Sequence, residues 1–165
     1  MVDNNDLLIR LRYALDIKNS EMAEIFKLGE EEVTVPEVVK ILKKFDEDEV
    51  ENRIELTDAM LNSFLNGLII YKRGKQEPKP GQANTPDPSI TSHRHINNIL
   101  LKKVKIALAL TTDDMIDIFR KAGLNVSKGE IGAFLRKEGH KNYKVCLDHF
   151  ARNFLKGLTI KYREA

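Results

Sequence analysis

The chain has 165 residues, 42% of them hydrophobic and 32% charged, and no Trp, a composition that supports a packed aliphatic core and excludes a wholly disordered chain. One cysteine, Cys146, rules out an internal disulfide, the start MVDNNDLL is acidic and polar, unlike a signal sequence, and no apolar run is long enough to span a bilayer; a cytoplasmic protein is expected. The net charge of +2 conceals a division: residues 1–75 carry 11 Lys+Arg against 16 Asp+Glu, and residues 93–165 carry 15 against 7.

In chain order, the first predicted helix runs from about Asp6 to Asp16, with Leu7, Leu8, Leu11, Ala14 and Leu15 on one face and Asn4 or Asn5 as its cap. A short second helix follows Asn19 or Ser20 and buries Met22, Ile25 and Phe26. The third opens at TVPE, where Thr34 and Glu37 form a capping box and Pro36 falls in the tolerant first turn. After an acidic run, DEDEVENRIE from Asp46 to Glu55, a fourth helix carries Met60, Leu61, Phe64, Leu65 and Leu68. Four of the five prolines then fall in one Gly-, Gln- and Thr-containing stretch, which predicts a flexible Pro-rich linker over 74–94.

Beyond the linker the same pattern is written again. NNDLLIRLRYALDIKNSEMAEIF from Asn4 aligns without a gap on NNILLKKVKIALALTTDDMIDIF from Asn97, and Thr34 and Glu37 align on Ser127 and Glu130. FLNGL from Phe64 aligns on FLKGL from Phe154, with the second copy three residues shorter in the loop between. The second set of stripes is Leu100, Leu101, Val104, Ala107 and Leu108; Met115, Ile118 and Phe119; Ile131, Phe134 and Leu135; and Leu147, Phe150, Phe154, Leu155 and Leu158. An all-α protein is expected, with an acidic repeat at 4–73 and a basic repeat at 95–163, and no strand. Units of this size are often marginal alone, so the copies should pack on each other or the protein should self-associate. Gly67 and Gly157, at matching points in the fourth helices, read equally as a repeated close approach or as helix ends.

The elements RLRYALD, EMAEIF, NVSKGEIGAFLRKE and FLKGL resemble those of the YehS-like bacterial family, a tandemly duplicated domain with no established activity. The similarity covers nearly the whole chain outside the linker. It implies a cytoplasmic bacterial protein, and its motifs fix helix packing rather than chemistry.

VSKGEIGAFLRK, from Val126 to Lys137, has the form of a helix-turn-helix recognition helix, presenting Lys128, Gly129, Gly132, Ala133 and Arg136 away from the core, with Lys137 following. Arg120, Lys121, Lys141 and Lys144 would enlarge a phosphate-binding patch. Against this, AGLNVS is long for a helix-turn-helix turn, and only Arg136 suits base reading. The same smooth face of Gly129, Gly132 and Ala133, like Gly67 and Gly157, serves equally for packing on another helix. A metal site from Cys146, His149 and His140 lacks a fourth ligand, and HRH, His93–His95, is expected to face water. No phosphate loop, dinucleotide fingerprint, HExxH or nucleophile elbow is present. The residues therefore point to a non-enzymatic binding protein without a cofactor. The first expectation is protein interaction or self-association between the oppositely charged repeats; the alternative is nucleic-acid binding by the basic one.

Overall fold

A computed structural model describes residues 3–43, 53–74 and 93–163. These form eight α-helices: α1 Asn4–Leu15, α2 Asn19–Leu28, α3 Val35–Ile41, α4 Asp58–Arg73, α5 Ile96–Ala107, α6 Thr112–Lys121, α7 Lys128–Leu135 and α8 Asp148–Tyr162, with a 3-10 turn at His93–His95. No strand occurs among the described residues. The acidic residues 46–52 and the expected linker, apart from Gly74 and the 3-10 turn His93–Arg94, lie outside the described residues.

The predicted faces are the buried ones: Leu7, Leu8, Leu11 and Ala14 in α1, Met22, Ile25 and Phe26 in α2, and Met115, Ile118 and Phe119 in α6. Thr34 and Glu37 close a reciprocal capping box on α3. On α7 Ser127 accepts from the Glu130 N–H, while the Glu130 carboxylate lies 3.7 Å from Lys144. Several helix ends differ from expectation, among them α2, which begins at Asn19 with Lys18 as its cap. Leu147 is the N-cap of α8 and 56% exposed, because the chain reaches the core one residue earlier, through Cys146. Arg136 takes an extended conformation (ψ 159°), so α7 stops at Leu135 and both Arg136 and Lys137 lie beyond it.

Asn4 and Asn5 are not caps. Asp3 caps α1 by accepting from the Asp6 N–H, and the two asparagines are the buried first two residues of the helix. Asn5 donates from Nδ2 to the Ile41 carbonyl at the end of α3 (2.9 Å) and to the Ile54 carbonyl (2.8 Å), while its Oδ1 accepts from the Leu56 N–H (2.9 Å). Asn4 donates to the Leu56 carbonyl and to Asp58 in the first turn of α4. The second repeat copies every bond. Asn98 donates to the Phe134 and Lys144 carbonyls and accepts from the Cys146 N–H, and Asn97 donates to the Cys146 carbonyl and Asp148. One amide pair per repeat thus supplies partners to an irregular segment that buries Leu56 in one copy and Cys146 in the other.

Each repeat is incomplete alone. α1 packs mainly on α8, and α4 packs as closely on α5 as on α2 of its own repeat, with much less contact between α1 and α4 or between α5 and α8. Exchanging the repeats maps one pairing onto the other, which is a pseudo-two-fold relation, and the buried apolar residues of both repeats form one continuous core. The hairpins flank this central layer, α2 on α4 and α6 on α8, with α3 and α7 outside them. Gly67 and Gly157 are the close approaches between those layers. A Cβ on Gly67 would stand 1.8 Å from the Ile25 carbonyl oxygen, and one on Gly157 1.9 Å from that of Ile118. Both glycines act inside their own repeat, α4 on α2 and α8 on α6.

Gly67→Ala and Gly157→Ala should each cost at least about 2 kcal/mol in urea unfolding, since the obstacle is backbone. Gly132→Ala, whose Cβ meets nothing within 4 Å, should instead raise stability by up to about 1 kcal/mol. Asn98→Asp keeps the shape but removes both donors, and should cost about 3 kcal/mol in the same measurement because two buried carbonyls lose their partners.

Candidate functional site

The basic residues of the second repeat are the sequence-derived candidates, and the structure divides them. Lys128 begins α7 and Arg136 follows its last residue, so an eight-residue helix separates them by about 12 Å. Arg120 and Lys121 end α6, where Lys121 lies 3.6 Å from Asp117, and six residues, including Gly123 at φ +85°, separate α6 from α7. That turn is longer than a tight helix-turn-helix allows. Lys144 is engaged with Glu130, and its Nζ lies 5.9 Å from the ring centres of both Phe134 and Phe150. Lys141 is exposed. Gly129 and Gly132 have open space where a Cβ would go, so no described element covers α7 at those points, and Ala133 beside them is half-buried.

Arg136 and Lys137 do come together with residues that the pattern did not single out. They line a concavity of about 630 Å³ with His95, Lys102, Phe134 and Tyr143. His95 was expected to face water, yet its side chain is only 13% exposed: Nδ1 lies 2.7 Å from the Tyr143 hydroxyl and Nε2 3.2 Å from Glu138. Burial pushes the Tyr143 phenol up to about 12, so it remains a donor at neutral pH. Tyr143 and Glu138 thus occupy the two ring nitrogens of His95. This Tyr143–His95–Glu138 chain fixes the loop after α7 against the start of α5, and so sets the place of Arg136 and Lys137. His93 is exposed and lies 2.7 Å from Asp58 of the first repeat.

The residues imagined as metal ligands do not converge. Cys146 is buried ahead of α8, His149 is exposed in its first turn against the Phe150 ring, and His140 accepts from the Asn142 N–H in an exposed loop. Among the described residues no three His, Cys, Asp or Glu side chains are grouped as a metal would need. Burial also raises the Cys146 thiol to about 12, which leaves it protonated at neutral pH.

A duplicated helical fold with a shared core and a basic second end defines the class. Residues 4–74 and 97–164 both match the family described as "Protein of unknown function (DUF1456)", and the chain belongs to that family. It is 40% identical over 158 residues to the uncharacterized protein YehS of Escherichia coli (strain K12), covering 96% of this chain and 95% of that protein. No solved structure matches. No helix among the described residues is long and apolar enough to cross a membrane.

Native protein should react with a thiol reagent such as iodoacetamide at least tenfold more slowly than protein in urea, because Cys146 is both buried and protonated. Fast labelling in the folded state would contradict this placement.

Proposed function

We propose that the protein is a cytoplasmic, non-enzymatic binding module that joins copies of itself, or another protein, through flanks of opposite charge. The observation that carries this reading is that packing the repeats leaves their charges unspent. The seams α1–α8 and α4–α5 are built mainly from core side chains such as Leu7, Leu11, Leu65, Leu101, Leu155 and Leu158. The described ion pairs across them, Arg163–Asp16 (3.1 Å) and His93–Asp58, lie at their margins. Glu24, Glu30, Glu32 and Glu37 stay exposed on the α2–α3 hairpin, and Arg120, Lys121, Lys128 and Lys141 on or just after α6 and α7. Equivalent places of opposite sign on one chain suit head-to-tail association, and the uncovered Gly129–Gly132 face of α7 gives a partner helix room to approach.

A second reading, nucleic-acid binding, draws support from the concavity where Arg136 and Lys137 stand beside Lys102. That set would hold backbone phosphates better than it would read bases.

Sedimentation at 50 mM and 500 mM salt separates these readings. Association should be present at the lower salt, be lost at the higher, and weaken in Lys121→Glu with Lys128→Glu. A monomer at 50 mM salt, joined to anisotropy of a labelled oligonucleotide that drops at least tenfold in affinity in Arg136→Ala with Lys137→Ala, would replace the first reading with the second.

A further inference from the structure

The pseudo-two-fold invites a comparison of its two seams, and they are not finished alike. In the α4–α5 seam, Lys103 is buried and its ammonium donates to Oδ1 of Asn62 and of Asn66 (2.6 Å). One cation and two amide acceptors close that seam. By the register of the repeats, the same three places in the α1–α8 seam are held by Arg10, Arg152 and Lys156. Three cations replace one, and neither amide acceptor remains.

A groove runs along this α1–α8 seam. It has a volume of about 780 Å³, within the range of small-molecule sites. Arg10, Arg12, Arg152 and Lys156 line it against one described carboxylate, Asp6, which lies 2.9 Å from Arg10. Its apolar lining includes Ile9, Leu155 and Ile160. Arg12, in the same lining, donates from Nη2 to Asn19, while its Nε is buried without a hydrogen-bond partner. Clustered like charges beside a low-dielectric wall are unfavourable unless an anion neutralises them, and guanidinium forks fit phosphate oxygens in pairs.

We infer that the α1–α8 groove is a binding site for a phosphorylated small molecule, whose phosphates sit among Arg10, Arg152 and Lys156 and whose apolar body lies on Ile9, Leu155 and Ile160. The site belongs to neither repeat alone, because α1 and α8 come from opposite ends of the chain. It is independent of the charged flanks proposed above for macromolecular partners.

Calorimetric titration of the full chain at 50 mM salt with pyrophosphate and with ADP tests this. Both should bind, ADP the more tightly because it also covers the apolar lining. Arg152→Asn with Lys156→Asn rebuilds the finish of the other seam, so the fold should survive with an unchanged or higher unfolding midpoint while affinity for both probes falls at least tenfold. The charge-matched Lys27→Asn with Lys72→Asn, on exposed positions elsewhere, should leave affinity within twofold. Failure of both probes to bind, or equal loss in the two double variants, overturns the site. Equal affinity for pyrophosphate and ADP overturns the role given to the apolar lining.

Discussion

The fold depends on a buried side-chain amide in the first turn of the leading helix of each repeat. Asn5 and Asn98 each satisfy three backbone groups: a carbonyl in the last turn of the third helix, and a carbonyl and an N–H of the irregular segment that precedes the fourth. A buried carbonyl or N–H left without a partner costs about 1–3 kcal/mol, so that segment could not otherwise lie in the core. With it in place, Leu56 and Cys146 are buried at equivalent points, and the fourth helix starts in register despite the shorter loop of the second copy. The amide pair therefore spans the one place where the two copies differ in length and makes their geometry the same.

From that register the layering follows. The fourth helix can approach the second closely enough to meet its backbone only where a glycine stands, at Gly67 and again at Gly157. Its other face turns to the first helix of the opposite repeat. Neither repeat encloses its own stripe of leucines; each is completed by the other, so the duplication is a structural requirement rather than a doubling of independent units. The charge of the two halves is free to diverge because the buried side chains that join them are mainly apolar, Lys103 apart.

Much of this was legible in the residues. The apolar stripes of α1, α2, α5 and α6 appear at the expected positions because helical periodicity alone decides which residues face inward. Thr34 and Ser127 are caps as read, since a hydroxyl ahead of an acidic third residue acts locally. What the pattern missed is what acts at a distance. Asn4 and Asn5 have the chemistry of caps, and only the two segments folded over them give them another task; their recurrence as Asn97 and Asn98 was the available signal. His95 looked solvated because its partners, Tyr143 and Glu138, are more than 40 residues away. The cations of the α1–α8 groove are invisible as a set in one dimension, Arg10 lying near one end of the chain and Lys156 near the other.

The pairing of α1 with α8 also orders events during synthesis. α1 leaves the ribosome before its principal partner, α8, so its apolar face must wait until α2 to α7 have been made. Long sequence separation of this kind slows folding, and it makes α8 the element whose arrival completes the packing of α1.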